Sequence, residues 1–386
     1  MPSAAPTPAR WTPAHLAGLT LSPAATAPPL SRDGLVRVLP GEDVWDLWPV
    51  QESGDGRPAR AGDVELWMAL SAAAIGHPEL RHGLARLRLL GRRGADWCDL
   101  GPVFADGASP GSREWSGSAI RWDDGSVSVF YTAAGRRGEP RPSWGQRVME
   151  ARGRIVGAGD GVRLEAAGDH REIVRADGTT YLLADELDGA PGRIRAFRDP
   201  AWFRDPADGR EHLLIAASAP SGDDGGFTGA VALATRARGD AWALGPPLLR
   251  ADGVTHELER PHVVVHDGRY HLFFSANAHT FTPAARGPTG LFGFVAPRLH
   301  GPWEPLNGSG LVVANPPRQP TQAYAWLVLP DLRVVSFVDY LAPPGVDLRT
   351  APADEARAAF GGTAAPELRL ALSGTASAIL ANPVAR

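Results

Sequence analysis

The chain of 386 residues is 44% hydrophobic and 21% charged, and its 39 Lys and Arg against 43 Asp and Glu leave a formal net charge of −4. Such a composition provides for a sizeable buried core, and without a basic stripe or a basic–aromatic alternation it excludes nucleic acid as an expected partner. The single cysteine, Cys98, rules out an intramolecular disulfide and reads as a small buried hydrophobe; no segment approaches the roughly 18 apolar residues of a membrane span, so no membrane partner is expected.

Residues 1–40 read as an N-terminal arm. Its first 29 residues are rich in Ala and Pro and lack the basic start and continuous apolar run of a typical secretory signal. The location therefore stays open between export by another route and the cytoplasm. A short helix is expected over 11–19. From 41 to 386 we expect one domain built of strands: 64–70, 126–132 with its alternation of polar and apolar residues, 212–217 and 269–274. Asp-Gly pairs at 124–125, 177–178, 208–209 and 267–268 suit tight turns, because Gly accepts positive φ. Gly (45) and Pro (36) punctuate the whole chain, and only 354–359 reads as helical late in the sequence. Short strands at even spacing predict a sandwich, a barrel or a propeller.

Three acidic segments carry the chemistry: Val-Trp-Asp-Leu-Trp-Pro at 44–49, Phe-Arg-Asp-Pro at 197–200 and His-Glu-Leu-Glu-Arg-Pro at 256–261. Each sets a carboxylate beside an aromatic ring or an arginine. Glycoside cleavage requires that combination: one carboxylate to attack the anomeric carbon, another to protonate the leaving oxygen, and rings and charges to hold the sugar. Taken singly, a Trp-Asp pair is a common turn and an Arg-Asp or Glu-Arg pair an ordinary ion pair. Twelve Trp against five Tyr fill a core or stack on the C–H faces of sugars. A second Arg-Asp-Pro, Arg204-Asp205-Pro206, lies in a Pro/Asp/Gly context and reads as a turn. Asp123-Asp124 and Asp223-Asp224 are turn pairs without calcium-loop spacing, and no metal site is expected.

In order along the chain, these segments and four others resemble glycoside hydrolase family 68, the levansucrases, inulosucrases and related β-fructofuranosidases. The others are Arg-His-Gly-Leu-Ala-Arg at 81–86, the Trp-Ser-Gly-Ser motif within 110–119, Gln-Ala-Tyr-Ala-Trp at 322–326 and Phe-Gly-Gly-Thr-Ala-Ala-Pro at 360–366. The match runs from about Asp43 to near the C-terminus and is closer to the Gram-negative type. The resemblance implies an all-β fold, a five-bladed β-propeller with a central funnel-shaped active site, and a retaining fructosyltransferase acting on sucrose without a cofactor. Sucrose and fructan or other sugar acceptors are the implied partners.

By the same resemblance Asp46 is the nucleophile, Asp199 the transition-state stabiliser and Glu259 the general acid/base. Trp45 flanks the nucleophile, Trp115 and Ser116 floor the fructose subsite, and Tyr324 hydrogen-bonds the nucleophile or Arg260. Glu257, two residues from Glu259 and so on the same face of a strand, contacts the glucosyl unit. Arg198 and Arg260 bridge sugar hydroxyls and carboxylates, with plain ion pairing as the alternative. His279 stands where Gram-positive relatives often carry Arg and several Gram-negative ones His, on the acceptor side; a lone loop His is more often merely solvated. Relatives often read Asp-Glu-Ile-Glu-Arg where this chain has His256 and Leu258. Rival readings are a mainly hydrolytic β-fructofuranosidase, a sugar-binding propeller without catalysis, and a related propeller hydrolase acting on arabinosides or other fructans.

Overall fold

A computed structural model describes residues 7–184, 195–221, 226–237 and 239–380. The architecture is all-β and propeller-like, made of antiparallel meanders in chain order. The first comprises Glu42–Glu52, Val64–Ala73, Arg86–Arg93 and Asp96–Pro102; the second Arg113–Arg121, Ser126–Ala134, Gln146–Val156 and Arg163–Val174. The third comprises Phe197–Arg204, Glu211–Ser218, Gly229–Arg236 and Leu249–Arg250, and the fourth starts with Glu259–His266, Arg269–Ala276 and Gly290–Ala296. The last starts with Ala323–Val328 and Arg333–Tyr340. The first two are one continuous sheet, because Val50–Glu52 pairs in parallel with Ala119–Arg121.

The opening strands of the meanders form a ring. Glu42–Glu52 touches Arg113–Arg121, which touches Phe197–Arg204, then Glu259–His266, then Ala323–Val328, which touches Glu42–Glu52 again. Every one of these strands is interrupted midway by a shift of register: 45–48, 115–117, 198–201, 259–262 and 324–327. A bulge of this kind bends the strand and re-aims a side chain. At four of the five, a residue other than glycine has a left-handed backbone: Asp46 (φ 52°), Asp199 (φ 59°), Arg260 (φ 50°) and Ala325 (φ 55°). At the fifth, Gly117 passes so close to its neighbour that a Cβ would lie 1.9 Å from the Phe130 carbonyl oxygen. A left-handed, strained backbone thus recurs at four of the five bulges of the ring.

The strands expected at 64–70, 126–132, 212–217 and 269–274 are present as Val64–Ala73, Ser126–Ala134, Glu211–Ser218 and Arg269–Ala276. Among the Asp-Gly pairs, 124–125, 208–209 and 267–268 turn between paired strands. The fourth differs: Asp177 Oδ1 accepts from the amides of Thr179, Thr180 and Tyr181 in a non-hairpin turn after Arg163–Val174. Among the described residues the α-helices are Pro13–Ala17, Arg81–Leu84 and Ala353–Ala359. Cys98 is half-buried rather than buried, packed at the edge of one core cluster. Asp123 and Asp124 sit in a turn, where Ser53 Oγ donates to Asp123 and Ser126 N to Asp124; Asp223-Asp224 lies outside the described residues. Among the described residues no helix is long and apolar enough to cross a membrane.

From residue 7 onward the N-terminal segment is anchored to the sheets at several points. Ala9–Arg10 adds a parallel strand beside Leu249–Arg250. Trp11 is fully buried among Phe274, Phe281, Phe292 and Phe294, and its Nε1 donates to Ser309 O at 3.0 Å. Further on, Thr26 bridges Ala314, Leu30 N donates to the Gln322 side chain at 2.9 Å, and Val38 N donates to Thr363 Oγ1.

Candidate active site

The bulges bring the three predicted carboxylates to the inside of the ring. Asp46 is held by Ser116 Oγ, which donates to its Oδ2 at 2.5 Å. Burial raises its pKa; Arg260, Ser116 and Arg81 oppose that rise, and Glu259 adds to it. Ser116 belongs to the Arg113–Arg121 strand, so the Trp-Ser-Gly-Ser motif meets the Trp-Asp motif directly across two meanders. Asp199 is 7% exposed. Its Oδ2 accepts from the Arg260 amide at 3.4 Å, and its own amide donates to Thr132 Oγ1 at 3.0 Å. Burial first, then the nearby Glu259 and Asp46 charges against Arg198 and Arg260, leave its pKa raised to about 7.

Glu259 opens its strand opposite Ser275. Arg198 donates to Glu257 Oε1 at 2.6 Å and to Glu259 Oε1 at 3.0 Å. Arg198 Nε also lies 3.8 Å from Asp199. Three carboxylates around one guanidinium hold Arg198 charged, well above its ordinary range although it is buried. Burial, then repulsion by Glu257, raises Glu259 to about 7, with Arg198 opposing. The sequence motif's i, i+2 carboxylates therefore do face one guanidinium.

The other predicted residues divide. Arg260 commits two N–H groups to backbone, Ala325 O and Leu47 O, both at 2.9 Å, and its guanidinium lies 5.6 Å from the Trp48 ring. It ties three opening strands together. Trp45, 2% exposed, lies edge-on to His82 with the Arg81 guanidinium 5.7 Å away, so it shapes the wall behind Asp46. Trp115 is half-buried, with Nε1 donating to His82 O at 3.1 Å, and adjoins Trp144. Tyr324 faces Glu259 rather than Asp46 or Arg260, in a loose contact that falls short of good hydrogen-bond geometry. This corrects the expected partner: the bulge after Tyr324 turns the next residue, Ala325, and it is Ala325 whose carbonyl meets Arg260.

His279 is exposed, in the short turn Ala278–Thr280. Its Nδ1 is 2.7 Å from Asn277 Oδ1 and also meets Arg349. The crowding walls and then Arg349 lower its pKa to about 4, against the pull of Glu259. At the varied position, His256 is buried and stacks on Phe227 with ring centroids 4.3 Å apart.

Three neighbours were not singled out from sequence. Arg81, buried, donates to Glu79 and lies 4.0 Å from Asp339; Glu79 also accepts from Tyr340 at 2.8 Å. Asp339 has a buried Oδ1 without a hydrogen-bond partner, and burial, outweighing Arg81, raises it to about 7 with further contributions from Glu79 and Asp46. Arg349 comes from the loop after Arg333–Tyr340 and pairs with Asp347 at 3.0 Å. Arg81 opens a motif segment, which was the one available signal; Asp339 and Arg349 arrive through the chain path alone.

The family model described as Levansucrase/Invertase matches residues 1–226 and 226–382. Levansucrase LscB of Pseudomonas savastanoi pv. glycinea is 33% identical over 379 residues, covering 86% of this chain and 82% of that protein. The levansucrase of Erwinia amylovora is 35% identical over 328 residues, covering 78% and 74%. Among solved structures, the inulosucrase from Halalkalicoccus jeotgali bound to kestose superposes with a TM-score of 0.89 at 39% identity over 97% of this chain and 95% of that one. The levansucrase of Bacillus subtilis shares the fold, with a TM-score of 0.78 at 19% identity.

Proposed function

The chain belongs to the levansucrase/invertase family, glycoside hydrolase family 68, and from that premise we propose that it is a retaining fructosyltransferase that cleaves sucrose. We read the ring of opening strands as the axis of a five-bladed propeller, with residues 41–386 as the catalytic domain and 1–40 as an N-terminal arm. The observation that carries the reading is the joining of Asp46, Asp199 and Glu259, from three meanders, through Ser116, Arg198 and Arg260.

In the proposed cycle the fructosyl ring lies innermost. An Asp46 oxygen attacks the fructosyl anomeric carbon, the bond to the glucosyl oxygen breaks, and the Glu259 carboxylic acid gives its proton to that oxygen. Glucose leaves and a fructosyl ester on Asp46 remains. Glu259, now ionised, removes the proton of an acceptor hydroxyl, the acceptor oxygen bonds to the anomeric carbon, and Asp46 departs as carboxylate. The two acids divide by environment. Burial raises both; at Asp46 the Arg260 charge and the Ser116 hydrogen bond oppose that rise, whereas at Glu259 a second carboxylate, Glu257, adds to it. Asp199 holds two fructosyl hydroxyls as the ring flattens, and Arg198 orients the acids.

The acceptor is a sugar, a growing fructan or water. The test is a time course with concentrated sucrose. Glucose in excess of fructose, with oligosaccharides appearing, supports transfer, and equal amounts mean a mainly hydrolytic β-fructofuranosidase. No release of either sugar would overturn the enzyme reading in favour of a sugar-binding propeller.

A further inference from the structure

A second polar cluster lies at the turn between Phe197–Arg204 and Glu211–Ser218, apart from the residues that gather around Arg198. Asp205, Asp208 and His212 each bring a ligand-capable atom within 4.8 Å of the others. His212 is 2% exposed and Asp205 7%, while Asp208 is open to solvent. His212 stands between two partners, Phe203 on one side and Thr235 on the other. Its Nδ1 lies 2.9 Å from Thr235 Oγ1. The Asp205–Asp208 turn continues from the strand on the opposite side. The remaining ring nitrogen, Nε2, is therefore the one left toward the carboxylates, and it is buried with no hydrogen-bond partner.

An unpartnered buried polar atom is destabilising and calls for an explanation such as a bound ion. Asp205 Oδ1 is occupied by the Tyr270 hydroxyl and the Ala207 amide, which leaves Oδ2. Asp208 Oδ1 accepts from the Arg210 amide at 2.9 Å, and its Oδ2 faces Arg210 Nε at 3.7 Å in an exposed pair that binds weakly.

We propose that the 205–212 hairpin is a zinc site, with Asp205, Asp208 and His212 as ligands and water completing the shell. One imidazole with two carboxylates suits zinc; calcium prefers an all-oxygen set. Bond lengths near 2.0–2.2 Å place ligand atoms roughly 3.3 Å apart, and the exposed Asp208 side chain is the one free to close that gap. A bound ion pins the turn between two strands, the first of which, Phe197–Arg204, carries Arg198 and Asp199 at its far end, so it acts on stability and not on the chemical step.

The experiment uses the tag-free full chain, loaded with ZnCl2, dialysed, and measured for metal content, zinc affinity and thermal midpoint. The expected result is one zinc per chain and a raised midpoint, with Asp208→Ala weakening zinc more than about 10-fold while glucose release from sucrose stays unchanged. His212→Gln is expected to lose zinc as well; should that buried substitution not fold, Asp208→Ala decides alone. No zinc on the unaltered chain, undiminished binding by Asp208→Ala, or calcium held in preference to zinc would each overturn the proposal.

Discussion

Burial first and the Glu257 carboxylate second keep a proton on Glu259, and the second contribution can be tested by substitution. Glu259→Gln keeps the shape and removes the acid; it is expected to lower the kcat for glucose release by about 100- to 10,000-fold with an unaltered circular dichroism spectrum, and near-normal turnover would end the assignment. Glu259 sits near 7 and donates a proton in the first half-reaction, so glucose release should fall as pH rises through that value. Glu257→Gln removes a charge that raises Glu259 and leaves Arg198 more fully to it; both effects lower the pKa. The alkaline limb of the pH profile then moves to lower pH, and an unmoved limb contradicts the coupling. Arg349 and His279 touch at the rim, and either changed to Ala should alter the ratio of transfer to hydrolysis more than sucrose KM. An unchanged ratio in both variants removes them from the acceptor side. The three acids were legible because each sits in its own short motif. Asp339 and Arg349 were not, since nothing beside them in sequence marks a carboxylate or a cation that only the fold delivers.

At the scale of elements, apolar runs and Asp-Gly pairs located four of the strands and three of the turns between paired strands, as with Ser126–Ala134 and the 267–268 turn. They did not locate the bulges. A register shift is decided by how a strand must bend to meet its neighbours in the ring, and nothing in the local sequence Trp45-Asp46-Leu47-Trp48 marks that bend. Gly117 shows the stringency. With a Cβ, it meets the Phe130 carbonyl at 1.9 Å, an overlap that only backbone movement relieves. Gly117→Ala should cost about 1–3 kcal/mol or more, seen as a lower thermal midpoint. It should also slow glucose release in the molecules that remain folded, because Ser116, the donor to Asp46, is the adjacent residue. An unchanged midpoint would show that the strand has slack at this level.

On the scale of the whole molecule, the N-terminal segment does what a loose arm does not. Between residues 9 and 38 it pairs with Leu249–Arg250, enters the aromatic cluster of the fourth meander through Trp11, bridges Ala314, and reaches the last meander at Gln322 and Thr363. A ring of sheets is closed by the contacts between neighbours, and a strap across several of them resists the ring's opening. Composition marked this segment only as rich in Ala and Pro, and Trp11 as the start of a short helix; the anchor was invisible because its partners lie more than 200 residues away. Trp11→Ala removes the largest side chain of that anchor together with its hydrogen bond to Ser309. The expected loss is about 3–5 kcal/mol, read as a fall in thermal midpoint. Sucrose KM at low temperature should stay unchanged, since Trp11 packs in a cluster distinct from that of Trp45 and Trp115. A variant that kept its midpoint would reduce the strap to a surface decoration, and one that kept its midpoint but lost sucrose affinity would instead tie the segment to the candidate active site through Gln322 and the nearby Tyr324.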